Sequence, residues 1–131
     1  MAIRSHSTLA QVKEQYTKMG AAITAAATIT PTHQTHTLTL PANATNIDVI
    51  STTGASKGQL FILIAAGAGV GAVSIRDTAV SGNSTTGKNI KCGGGTSSAI
   101  AFDGANDSAT FVFDGTNWIV VSSFNGGPNQ D

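Results

Sequence analysis

Residues that carry chemistry are scarce in this sequence. It has one cysteine, Cys92, so an intrachain disulfide is excluded. Charged residues make up 11% of the 131, under half the usual share of about 25%. Seven basic side chains balance seven acidic ones, leaving no net charge. Without a basic field, the attraction that drives nucleic-acid binding is missing, and nucleic acid is not expected as a partner. No apolar run approaches the roughly 20 residues of a membrane-spanning helix, and nothing resembles a secretory signal. Synthesis in a cytoplasm and no membrane partner are therefore expected. Aromatic residues number seven, five Phe with one Trp and one Tyr, while Ala, Gly, Ser and Thr dominate. A chain of this mass buries roughly two-thirds of its unfolded surface, enough for one modest core. With so few large side chains to fill it, an oligomer is expected to supply further burial.

What is present concentrates near the C-terminus. In "FVFDGTNWIVVSS" (111–123), Asp114-Gly115 is a pair that tolerates positive φ between two alternating apolar runs, the pattern of a β-hairpin. Whether the loop has two residues or four, side-chain parity places Phe111, Phe113, Trp118 and Val120 on one face. That face is core. The opposite face carries Val112, Ile119 and Val121, more apolar than a sheet with one wet side requires. These three residues are the candidate oligomer interface.

The rest of the chain divides in two. "TLAQVKEQYTKM" (8–19) sets Leu9, Val12, Tyr16 and Met19 at helical spacing, with Thr8 and Gln11 as a capping box and Gly20 as the stop. Residues 1–22 are thus expected to form an N-terminal arm with one short amphipathic helix. A helix of about 12 residues is marginal alone and must lie on something. Its stripe either packs on its own domain or docks on a neighbouring subunit or larger assembly, and Leu9, Val12, Tyr16 and Met19 are the candidate partner interface. From Ile23 the pattern becomes short β-rich runs: 23–29, 34–40, 47–51, 59–65, 72–76, 98–102, 109–113 and 118–122. Their spacing predicts a mainly β domain over 23–122, a β-sandwich or jelly roll, followed by a flexible tail over 123–131. "STTGASKG" (51–58) and "SGNSTTGKN" (81–89) read as polar loops.

Several motifs imitate functional sites. Gly67, Gly69 and Ala72 follow an apolar run in the dinucleotide-binding pattern, but Val73 and Ile75 alternate as a strand where that pattern requires a helix, and Asp77 comes too early for the ribose-binding acid. "KCGGGTSS" (91–98) lacks the Lys-Ser/Thr end of a phosphate loop and reads as a flexible turn. His33 and His36 stand three apart, on opposite faces of an extended strand, so they cannot chelate together and read as polar surface or interface residues; His6 could join them only through folding or symmetry. Cys92 has no nearby His to activate it. Asp103, Asp107 and Asp114 lack the alternating ligands of a calcium loop, and Asp103 and Asp114 precede glycine in turn-forming pairs. The sequons at Asn43, Asn83 and Asn106 bear only on a secreted chain. No catalytic, cofactor-binding or metal-binding set remains, and the chain is not expected to be an enzyme.

The succession "LTLPANATNIDVIST", "GQLFILIAAGAGVGAVSIRD" and "AIAFDGANDSATFVFDGTNWIVVSS" resembles the β-domain of bacteriophage virion proteins, in which a "TLP" strand, a "GQ" strand entry and a terminal "DGTNW" hairpin follow one another. The likeness covers roughly residues 35 to 122. It implies a homotrimeric, non-enzymatic β-domain, found in head decoration (cement) proteins and in tail-fibre or tail-tip proteins. A short arm plus one such module favours decoration, with the major capsid protein as partner and the virion surface as location. A tail-tip receptor-binding protein is the alternative. A carbohydrate-binding module would need exposed aromatics, for which Tyr16 and Trp118 are too few and too separated.

Overall fold

The computed structural model describes residues 18–67 and 71–125. Among them the regular structure is entirely β: β1 (Ile23–Thr24), β2 (Thr28–Ile29), β3 (Thr35–Thr39), β4 (Thr45–Ile47), β5 (Val49–Ile50), β6 (Leu60–Ala66), β7 (Val73–Arg76), β8 (Ile90–Lys91), β9 (Ala99–Phe102), β10 (Ser108–Phe113) and β11 (Trp118–Phe124). They form a six-stranded sheet in the order β1-β3-β6-β10-β11-β8, a three-stranded sheet β4-β7-β9 and a two-stranded sheet β2-β5.

The expected sandwich or jelly roll is corrected by the direction of pairing. β3 lies parallel to both β1 and β6, β5 parallel to β2, β7 parallel to β4 and β11 parallel to β8. From β3 the chain passes to the three-stranded sheet (β4), then the two-stranded sheet (β5), and returns to the six-stranded sheet as β6 before repeating the step with β7. One coil thus stacks on the next, so that Thr35 pairs with Ile62 and Thr45 with Val73. This is a solenoid-like winding, whereas a jelly roll is built from antiparallel pairs. Only the C-terminal part turns antiparallel, β9 against β7 and β10 between β6 and β11. Two of the expected strands prove to be corners. The run 23–29 splits into β1 and β2, and the run 47–51 into β4 and β5, each half in a different sheet.

Corners put polar groups inside, and each is satisfied. Asp48, at the β4–β5 corner and 2% exposed, takes two hydrogen bonds from Arg76 of the following coil, at 2.7 Å from Nε and 2.8 Å from Nη2, and a third from the Thr85 hydroxyl at 2.7 Å. Burial pushes its carboxyl up, but these donors and the Arg76 charge outweigh burial and hold it below the usual range. Asn89 serves the free edge of β5. Its side-chain amide donates to the Ile50 carbonyl (2.8 Å) while its oxygen accepts the Ile50 amide (3.0 Å), standing in for the next strand. Gly71 lets the coils approach closely, since a Cβ there would lie 2.4 Å from the Asn43 carbonyl.

One apolar core draws on all three sheets. Leu38, Phe61, Leu63, Phe111, Ile90 and Trp118 come from the six-stranded sheet, Ile47, Val73, Ile75 and Phe102 from the three-stranded one, and Ile29 and Ile50 from the third. Phe61 stacks on Phe111 with ring centroids 5.7 Å apart, and Trp118 packs against Phe61 and Phe113. Burying side chains of this size stabilises the fold by roughly 1.5–3 kcal/mol each.

The C-terminal hairpin forms with a four-residue loop, in which Asp114 Oδ1 accepts the amides of Thr116 (2.8 Å) and Asn117 (2.6 Å) and Gly115 takes φ 101°. Phe111, Phe113 and Trp118 are buried and Val120 packs against the core. A bulge then breaks the register: Phe111 pairs with Val120 but Thr110 pairs with Ser122, so Val121 is skipped. Ser123 and Phe124, assigned from sequence to the tail, belong to β11. The expected helix lies mostly outside the described residues. Its last position, Met19, falls within them and makes a parallel bridge to Thr35.

Candidate interaction surface

Alternation along β6, β10 and β11 determines what the six-stranded sheet turns away from the core. Phe61, Leu63 and Ala65 point inward, so Leu60, Ile62 and Ile64 point outward. On β10, Ala109, Phe111 and Phe113 are buried and Val112 faces out, and on β11 Trp118 is buried and Ile119 faces out. The registers join these residues into rows. Leu60 pairs with Val112 and Val112 with Ile119. Below them, Thr35, Ile62, Thr110 and Ser122 form a second row, and Thr37, Ile64, Ser108 and Phe124 a third. The surface is aliphatic at its centre with a hydroxyl margin. Its charged residue is Lys91 beside Ile119 at the β8 edge, and that ammonium lies 2.5 Å from the Thr78 hydroxyl. Leu60 is 37%, Val121 57% and Phe124 60% exposed.

Two of the three residues read from sequence as an oligomer interface, Val112 and Ile119, are therefore cross-strand neighbours on this outer face. Val121, which a regular register would set opposite Thr110 in the next row, is skipped by the bulge. β6, expected as the strand 59–65, is the part of this face that the sequence reading left out of the interface, although the unbroken apolar run "LFILIAA" (60–66), with no polar alternate positions, is the signal that its outward side chains are apolar too. Of the proposed partner-binding stripe, Leu9, Val12 and Tyr16 lie outside the described residues, and Met19 is 52% exposed beside β3.

The motifs that imitate sites receive structural roles. Val73–Arg76, where a dinucleotide site needs a helix, is strand β7, and Gly67 takes φ 90° immediately after β6. The glycine-rich stretch 91–98 is anchored, not a flexible turn. Asp77, fully buried, accepts the amides of Cys92 (2.7 Å) and Gly94 (3.0 Å) on one oxygen and that of Ala79 (2.8 Å) on the other. The amides a phosphate would need are thus already occupied by a carboxylate. Burial pushes that carboxyl up, yet the three amides and the Lys91 charge leave it below its ordinary range. Cys92 is half-buried, and burial followed by the Asp77 charge pushes its thiol up to about 11, away from thiolate chemistry. Asp107 closes its own turn by accepting the amides of Asp103 (2.8 Å) and Gly104 (2.9 Å). His36, expected at the surface or in an interface, is instead 2% exposed within the chain's own fold. Among the described residues no cluster of three or more His, Cys, Asp or Glu could hold a metal ion.

Comparison with known proteins adds no relative. No family model matches the chain, and neither a curated protein nor a solved structure matches it.

Proposed function

We propose that this chain is a non-enzymatic structural subunit of a bacteriophage particle, a decoration protein that binds the capsid surface as an oligomer and cements it. The observation that carries the reading is the outer face of the six-stranded sheet, where Leu60, Val112 and Ile119 form one aliphatic row and Ile62 and Ile64 continue it on β6. A face of this kind gains by being covered, and with Lys91 the one charged residue among those described in its rows, it favours a partner of low charge. A second copy of the same chain offers such a face, and a homotrimer built on it follows the arrangement that the resemblance to virion β-domains implies. The polar groups inside the fold also support a structural role, since Asp48, Asp77 and Asp107 are occupied in holding corners and turns.

Attachment is assigned to residues 1–22, with Leu9, Val12 and Tyr16 as an apolar stripe directed at the major capsid protein. Several copies of a weak contact bind far more tightly than one when the subunits are joined. A chain truncated before Lys18 tests this, because it retains the Gly20 amide bond to the Thr35 carbonyl (2.9 Å) and the whole β region. The truncated protein is expected to remain a folded oligomer and to stop co-sedimenting with empty capsids that bind the full chain. Normal decoration by the truncated chain would remove the attachment role from the arm. Binding of the full chain to host cells and not to capsids would move the protein to the tail.

A further inference from the structure

Segment 18–24 is held to the body by few bonds. β1 pairs with β3 over two residues, Ile23 with Leu38 and Thr24 with Thr39, and Gly20 donates one amide bond to Thr35. To these is added one buried side chain, His36, whose ring lies between the segment and the turn that precedes β3. Its Nε2 accepts the backbone amides of Thr32 (2.9 Å) and His33 (3.0 Å). Its Nδ1 lies 2.7 Å from the carbonyl oxygen of Ala21. Amides only donate and a carbonyl only accepts, so the ring is the neutral tautomer with its proton on Nδ1. Gly20 lies flat against it, where a Cβ would come within 2.1 Å of the ring.

We propose that His36 is a proton-operated latch on the N-terminal segment: the neutral ring ties Ala21 to the turn at Thr32 and His33, and a proton on Nε2 opens the tie. Protonation puts a hydrogen where two amide hydrogens already point, so both bonds are lost and a charge is buried. Among the described residues, no charged group packed against the ring offsets that charge. The preceding turn brings His33, at 5.7 Å between ring centroids, which repels a second proton when charged. The N-terminal segment brings Gly20 and Ala21, and β6 brings Phe61 and Leu63, all uncharged. Burial, first, and the neighbouring His33 hold the imidazole below its ordinary value, against the Ala21 carbonyl that favours the charged form. The sign follows. The opened segment frees a histidine that titrates near 6.5, so closure is complete above about that pH and weakens as pH falls toward the lower value of the closed form, tenfold per pH unit. The latch belongs to the folded chain whatever the segment binds. That acidity thereby loosens the arm's attachment to its own subunit rests on the function proposed above.

Amide hydrogen exchange on the full chain between pH 7.5 and 4.5, expressed as protection factors, reads the latch directly. Protection at Gly20, Thr32 and His33 is expected to fall about tenfold per pH unit below 6.5 and then level off, while Leu63 and Phe111 in the sheet stay constant. His36→Gln, which can accept and donate without titrating, is expected to give a flat profile at the three amides, and His33→Gln to keep the slope. A flat wild-type profile, or the same slope in His36→Gln, overturns the proposal. Should His36→Gln fail to fold, the ring nitrogens of the wild-type protein decide: a proton on Nδ1 that is joined by a second as Gly20 loses protection supports the latch, and titration of His36 without that loss refutes it.

Discussion

Replacing Asp77 by alanine tests whether a buried carboxylate, and not chain flexibility, shapes the glycine-rich stretch after β8. The substitution removes the acceptor for three amides, those of Ala79, Cys92 and Gly94. A buried donor left without a partner costs about 1–3 kcal/mol. These amides are only partly buried and water can reach some of them, so the lower part of that range applies, giving about 3–5 kcal/mol in total. For a domain of this size that corresponds to a fall in melting temperature of roughly 10–20 °C. Asparagine keeps one acceptor oxygen, which serves Ala79 or the Cys92–Gly94 pair but not both, so Asp77→Asn is expected to lose about half as much. Thermal unfolding followed by circular dichroism at pH 7 measures both variants, and hydrogen exchange at Cys92 and Gly94 locates the change. A melting temperature for Asp77→Ala within about 2 °C of wild type, with protection at Cys92 and Gly94 intact, would show that the loop holds its shape without the carboxylate.

Val112→Asp places a charge at the centre of the aliphatic row between Leu60 and Ile119. Leaving that charge unpaired in an interface costs about 3–5 kcal/mol, so sedimentation should show self-association weakened at least a hundredfold, while Lys57→Asp in an exposed loop leaves it unchanged. A wild-type chain that stays a 13.2 kDa monomer at tens of micromolar would refute the interface. Acid should destabilise the fold through Asp48, whose carboxyl is held below its ordinary value: the unfolded chain takes up the proton first, so this contribution is present above about pH 4 and is lost as pH falls through the folded-state value. Asp48→Asn should therefore melt lower than wild type at pH 7, because Arg76 loses its charged partner, and should show a shallower decline between pH 5 and 2; equal slopes would assign the acid sensitivity elsewhere.

That the chain is mainly β, that Phe111, Phe113 and Trp118 face a core, and that Asp114-Gly115 turns a hairpin were all legible from the residues alone, because two-residue alternation and turn chemistry are local properties of a few neighbouring residues. It also placed Val112 and Ile119 together on the hairpin's second, apolar face. The direction in which strands pair was not legible. Alternation repeats identically in parallel and antiparallel neighbours, so the same runs were compatible with a jelly roll, and only the stacking of Thr35 on Ile62 and Thr45 on Val73 decided for coils. Corners hid for a similar reason: Asp48 inside "IDVI" resembles a solvent-facing strand position until Arg76 arrives from 28 residues away to neutralise it. The bulge that frees Val121, strand β8 within a stretch read as loop and turn, and the burial of His36 are likewise decided by partners distant in sequence. Hydrogen bonding and desolvation act between groups that the chain brings together only when it folds, and a single sequence records the groups without recording the encounter.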